Sequence, residues 1–172
     1  PPYHCEPFAA YVSEGRSGIF YDAHSYHTKV PHKAIMRYIL HYTKPGDIVL
    51  DTFAGTGMTA VAAQMCADRE VVMSLGYKVK EDGSILREEI DDQKGVVWKK
   101  FSEIGVRRAI VNDLSPVASF IAYNNNIPIS PNQLSIEAKE LIKEAITKYG
   151  WLYETNHSNG KKGIVNYTIW SD

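Results

Sequence analysis

The run Gly46-Asp47-Ile48-Val49-Leu50-Asp51-Thr52-Phe53-Ala54-Gly55-Thr56-Gly57-Met58-Thr59-Ala60-Val61-Ala62-Ala63 constrains the fold of this chain more than any other stretch. Ile48 to Leu50 is a short apolar run of the kind that forms a buried parallel strand, and it ends in an acid, Asp51. A loop with two glycines follows, and an alanine-rich helix is predicted to open at about Met58. Strand, glycine loop and helix in that order make the first half of a doubly wound α/β nucleotide site, in which ligands bind beyond the carboxyl ends of the strands. Gly55 and Gly57 lack a Cβ, so the loop can turn sharply with positive φ and leave room for a ligand against bare backbone. The spacing departs from the dinucleotide fingerprint at the third glycine, where Ala60 stands, a change that the looser form of the pattern allows. Spacing alone leaves a dinucleotide and an unliganded tight turn both open.

The chain has 172 residues, which favours one domain, and its hydrophobic content of 44% supports a packed core. No apolar run approaches membrane-spanning length and no signal peptide is visible, so a cytoplasmic protein is expected. Cys5 and Cys66 stand far apart, and reduced thiols without a disulfide framework are the simplest reading. The net charge of −1 is unusual for a chain that must hold DNA alone, because phosphate binding draws on clustered Lys and Arg. Any basic surface is either local or lies outside this chain.

The residues around the glycines narrow the choice. Asp51-Thr52-Phe53-Ala54-Gly55-Thr56-Gly57-Met58-Thr59 resembles the D-x-F-x-G-x-G-x-T loop of the amino-group DNA methyltransferases, which methylate N6 of adenine or N4 of cytosine with S-adenosylmethionine. Tyr26-His27-Thr28-Lys29-Val30-Pro31, followed by a helix, is similar to the segment that precedes the loop in these enzymes and closes over the cofactor. Ala109-Ile110-Val111-Asn112-Asp113-Leu114-Ser115-Pro116 is similar to their later strand with an acid at its tip. The likeness runs over roughly residues 20 to 126, with three motifs in order. It implies a partial Rossmann-like S-adenosylmethionine-dependent methyltransferase fold, a parallel sheet flanked by helices, from which a hairpin-containing insertion at about 70–105 departs. It implies cofactor contacts from Tyr26, Thr28 and Lys29, from Asp51, Thr52, Phe53, Ala54, Gly55, Thr56, Gly57 and Thr59 of the loop, and from Asp113, Leu114 and Ser115. For Lys29 a solvated surface charge is an equal alternative. DNA is the implied partner, held mainly by regions outside this chain.

Along the chain, residues 1–18 read as an irregular lead-in, 19–155 as the cofactor-binding domain, and 156–172 as the start of a following strand or subdomain. Ile19 to His27 is expected to be extended. A helix is predicted at about His32 to Tyr42, with Ile35, Ile39 and Tyr42 lining one face and Tyr38 beside them. His24, His27, His32 and His41 match no zinc spacing and read as polar or helix-surface positions. The helix after the loop should run from Met58 to Ala67, its N-terminus suited to a carboxylate such as that of S-adenosylmethionine.

The ribose-holding acid usually follows the glycine loop by about twenty residues. Asp113 is the preferred acid, with Glu70, on a possible short strand at 69–72, as the competitor. That leaves 70–105 as an insertion, with a hairpin over Tyr77 to Leu86 around Asp82-Gly83 and a short helix before Gly105. Pro116 to Asn126 should be a helix with Val117, Phe120, Ile121 and Tyr123 inward. Leu134, Ala138, Leu141, Ile142, Ala145 and Tyr149 mark an amphipathic helix, continued or capped by Trp151 to Thr155. Asn156 to Gly163 is a predicted turn, and Ile164 to Trp170 a strand.

Methylating an exocyclic amine needs the nitrogen in line with the cofactor's methyl group and the base held out of the duplex. In the family a polar-Pro-Pro-aromatic motif holds the amine. Pro1-Pro2-Tyr3 lacks the polar residue and reads as a flexible terminus, while Asn112-Asp113-Leu114-Ser115-Pro116 has one proline and no aromatic in place. The chain therefore reads as the cofactor-binding part of a longer enzyme, inactive by itself, with the catalytic motif after Asp172. A nucleotide-dependent oxidoreductase, a non-catalytic methyltransferase-like module and an RNA methyltransferase remain open.

Overall fold

A computed structural model describes residues 5–165 except 92 and 94. Pro1-Pro2-Tyr3, and the predicted strand beyond Val165, lie outside the described residues. The chain divides into two units, Pro1–Ile127 and Pro128–Asp172.

In the first unit, β1 (Ile48–Asp51) and β5 (Arg108–Val111) pair in parallel, with Leu50 opposite Ile110. Alternation divides their side chains between two faces. Val49 and Ala109 pack on the core, whereas Ile48, Leu50 and Ile110 are all more than half exposed. The core is built from α2 (His32–Tyr42) and α3 (Met58–Met65), which contribute Met36, Ile39, Leu40, Ala62 and Ala63, closed by Cys66, Val72, Leu75 and Ile85. The small side chains of α3 lie fully buried, so the helix backbone can sit close to its neighbours.

The predicted bounds of α2 hold, but its buried side is His32, Met36, Ile39 and Leu40. Tyr38 and Tyr42 instead serve the irregular N-terminal segment: the ring of Phe8 lies 4.7 Å from that of Tyr38, and the Phe8 N–H donates to the Tyr42 hydroxyl at 2.7 Å. Part of the segment expected to be extended is the one-turn helix α1 (Ile19–Asp22), closed by the Gly18 N–H donating to the Asp22 carboxylate at 2.8 Å.

Residues 69–72 are also helical. Asp68 caps α4 (Arg69–Ser74) by accepting the Val71 N–H at 3.0 Å, and this local cap outweighs the β-branched pair Val71-Val72. Glu70 therefore sits in the first turn of a helix and not at a strand tip.

The insertion is a three-stranded antiparallel sheet of β2 (Lys78–Val79), β3 (Ser84–Asp91) and β4 (Gly95–Glu103). The predicted Asp82-Gly83 turn is present, with Gly83 at φ 83° and the Asp82 carboxylate accepting the Ser84 N–H at 2.9 Å. The helix expected before Gly105 is β4 instead, since Val96, Val97 and Trp98 suit a pleated surface and pair with Ile90, Glu89 and Glu88 of β3. The sheet leaves the fold after α4 and returns at the start of β5. That places it at the end of the parallel pair opposite the glycine loop, where Ile85 is fully buried in the core.

Arg107 secures that return. It is 1% exposed, and its guanidinium donates to the Thr43 hydroxyl and carbonyl, the Glu103 and Gly105 carbonyls and the Ser102 hydroxyl, at 2.8 to 3.2 Å.

The last helix of the unit, α5 (Pro116–Asn126), keeps its predicted bounds, and the Ser115 hydroxyl caps it by accepting the Ala118 N–H at 3.3 Å. Its buried residues are Ala118 and Ala122; Val117, Phe120 and Tyr123 are exposed. The reason is close approach: a Cβ at Gly57 would stand 2.7 Å from the Ala122 Cβ, so only a small side chain fits there.

The second unit contains α6 (Pro131–Tyr149), a single 3-10 turn at Gly150–Tyr153, and a hairpin of β6 (Glu154–Asn156) and β7 (Lys162–Ile164). The Ser130 hydroxyl caps α6 at the Gln133 N–H. Glu154 and Thr155, expected to prolong the helix, belong to the hairpin. Both cysteines are free, and among the described residues no helix is long and apolar enough to cross a membrane.

Candidate cofactor-binding site

The site is built on the loop between β1 and α3. Asp51, at the tip of β1, ties both ends of the loop: one carboxylate oxygen accepts the Phe53 N–H at 3.1 Å and the other the Thr59 hydroxyl at 2.5 Å. Between them the chain folds on itself, with the Gly57 N–H donating to the Ala54 carbonyl at 2.9 Å. Gly55 and Gly57 adopt φ of 53° and 80°, the left-handed region that glycine tolerates without steric cost.

β5 supplies the second support. The Ala54 N–H donates to the Asn112 carbonyl at 3.0 Å, and the Asn112 amide donates to the Thr52 carbonyl at 3.3 Å. Asp113 follows, accepting the Gly55 N–H at 2.8 Å and, through its other oxygen, the Ser115 N–H at 2.9 Å. The acid after β5 thus stands against the glycine bend.

Ala54 and Gly55 form a wall between two cavities. The smaller, about 100 Å³, is lined by Tyr26, Thr28 and Lys29 of the segment before α2 and by Asp51, Phe53, Thr56 and Thr59 of the loop and its ends. The larger, about 470 Å³, runs along β5 past Asn112 and Asp113 and is closed by Gln64, Ser119, Tyr123 and Asn126. Thr52, Gly57, Leu114 and Ser115 line neither cavity. Gly57 faces Ala122, Ser115 caps α5, and Leu114 is 97% exposed beside the site.

Three side chains of the smaller cavity show how it is made. The ring of Tyr26 lies on Gly55, so close that an added Cβ would stand 3.2 Å from it. Lys29 is buried, and its ammonium donates to the carbonyls of Tyr21 and His24 and lies 4.5 Å from the centre of the Tyr21 ring. These contacts close the 21–29 segment on itself, so Lys29 is not a solvated surface charge, and it also lines the smaller cavity. His24 is held below its ordinary pKa by burial and then by the charge of Lys29. Thr56 is 2% exposed, and its hydroxyl has no hydrogen-bond partner among the described residues. A buried hydroxyl left without a partner costs about 1–3 kcal/mol, and this one stands on a residue that lines the smaller cavity.

Asn125 and Asn126 at the end of α5, which sequence reading treats only as a helix end, donate to the carbonyls of Thr56 and Gly57, each at 3.3 Å. The Asn triplet was the available signal, since three asparagines at a helix end leave side-chain amides to spend on neighbouring backbone.

Residues 9–84 match the family model described as DNA methylase, of the N6/N4 type. The match takes in the segment around Tyr26, the glycine loop and α3, and ends before Asp113. No curated protein and no solved structure matches the chain.

Proposed function

With residues 9–84 matching the adenine-N6/cytosine-N4 DNA methylases, we propose that this chain is the S-adenosylmethionine-binding part of such an enzyme, built on a partial Rossmann-like sheet. The observation that carries the reading is the orphaned Thr56 hydroxyl, buried on a cavity wall that Gly55 divides from a larger cavity holding Asp113. Together the two cavities suit a ligand with a compact polar end and a bulkier nucleoside end. Thr56, Thr28 and the N-terminus of α3 would receive the amino-acid part, whose carboxylate the helix dipole favours. The Asp113 carboxylate, already fixed by two backbone N–H groups, would accept from the ribose hydroxyls.

When bound, S-adenosylmethionine supplies the methyl group that passes to an exocyclic amine. The residues of this chain bind and orient the cofactor, and the Tyr26 ring excludes water above Gly55. The polar-Pro-Pro-aromatic tetrapeptide is not present in these 172 residues, so the isolated chain binds cofactor without methylating DNA. DNA is then engaged mainly by other regions of the enzyme, in keeping with the net charge of −1.

Calorimetric titration with S-adenosylhomocysteine and NAD tests this reading. The homocysteine ligand should bind and NAD should not. Binding of NAD alone, or of neither ligand, would reject it, as would robust methyl transfer to DNA by the isolated chain.

A further inference from the structure

Both glycines of the loop have left-handed backbone, and glycine loses more conformational freedom on ordering than any other residue. Something outside the loop must therefore hold it in its binding shape. Asp113 holds the Gly55 N–H. The two carbonyls that follow are held from the far end of α5, where the Asn125 amide donates to Thr56 and the Asn126 amide to Gly57. Asn126 is itself fixed: its amide also donates to the Ala122 carbonyl at 2.8 Å, and its oxygen accepts from Gln64 of α3 at 2.9 Å. Gly57, the N-cap of α3, has no side chain of its own to close the turn.

From these bonds we infer that Asn125 and Asn126 are positioning residues for the ligand site, an inference that rests on the cofactor reading above. Asn125 fixes the peptide plane of Thr56 and so keeps its unpartnered hydroxyl on the wall of the smaller cavity. Asn126 lines the larger cavity as well, so one side chain links the contents of that cavity to the shape of the loop. A ligand filling both cavities meets a loop already ordered from behind, and the ordering entropy is not charged to binding.

The test is a double-mutant cycle on the 172-residue chain, read by calorimetry with S-adenosylhomocysteine. Asn125→Asp keeps the size of the side chain but removes the donor, and Asn125→Ser serves if the first variant does not fold. Thr56→Val removes the hydroxyl. The expected result is binding weakened about tenfold by the Asn125 change alone, and by no more than about twofold once Thr56 is valine. The thermal midpoint without ligand should stay within about 2 °C of the parent. An Asn125 variant that binds like the parent overturns the inference and leaves the cofactor reading standing. So does equal weakening in both backgrounds, which marks a structural role only. A parent chain that does not bind S-adenosylhomocysteine overturns the cofactor reading itself, and the inference with it.

Discussion

Asp113 and Gly55 are 58 residues apart in the chain, yet the carboxylate of one accepts the backbone N–H of the other at 2.8 Å. An acid that the family resemblance assigns to the ribose therefore also staples the glycine bend to the start of α5. The two roles separate experimentally. Asp113→Asn keeps one oxygen acceptor but loses the other, leaving either the Gly55 or the Ser115 N–H unpaired. We expect the ligand-free protein to lose about 1–3 kcal/mol, measured by urea unfolding. Binding of S-adenosylhomocysteine should fall by at least about tenfold in calorimetry. Weakened binding with unchanged stability would assign Asp113 to the ligand alone.

Gly57 is required for packing and for backbone geometry together. Alanine there must adopt φ 80° and place its Cβ 2.7 Å from that of Ala122, whose own backbone belongs to α5. Gly76 has a similar φ of 88° but open space around it. Gly76→Ala should cost about 1 kcal/mol, the price of the left-handed conformation, and Gly57→Ala clearly more. Thermal unfolding of the pair measures the difference, and equal losses would show that α5 yields to the added methyl.

The parts legible in the sequence are those written locally. The bounds of α2 and α5, the bend at the two glycines and the hairpin turn at Asp82-Gly83 each stand where they were expected. Helix faces were less legible, because the partner chooses the face. Tyr38 and Tyr42 have helical apolar spacing but are turned to the N-terminal segment, and Val117 and Phe120 yield the inner side of α5 to alanines because Gly57 comes so close. Contacts made through side-chain amides and guanidinium groups were least legible: the Asn triplet announces spare amides but not where they reach, and Arg107 carries no local sign of its partners. Asn125, Asn126 and Arg107 each act on backbone more than sixty residues away, at least in part.

Arg107 tests that last class. All of its donors are used and none goes to a carboxylate; burial pushes its pKa down. Lysine has three donors against five and lacks the planar fork. Arg107→Lys should therefore destabilise by about 1–3 kcal/mol, and Arg107→Met by more, since it leaves the Thr43, Glu103 and Gly105 carbonyls without this donor. Urea unfolding reads both. A methionine variant as stable as the parent would mean that the cost of burying the guanidinium cancels everything it donates.

Cys66 gives the protein an alkaline limit. Its thiol is fully buried and donates to the Ala62 carbonyl at 3.2 Å, and burial pushes its pKa up to about 11 against a downward pull from Arg107. The folded value lies above the unfolded one. The neutral thiol therefore contributes its full stabilisation below about pH 9 and loses it as the pH rises through about 11. A shift of that size is worth about 2–3 kcal/mol. Stability measured by urea unfolding should fall between these two pH values, and Cys66→Ala, though less stable at neutral pH because of the cavity it leaves, should fall less steeply. In the folded parent at pH 8 a thiol reagent should modify Cys5 and spare Cys66, with both reacting after unfolding. Equal alkaline slopes for parent and variant would show that the thiol ionises without opening the core between α2 and α3.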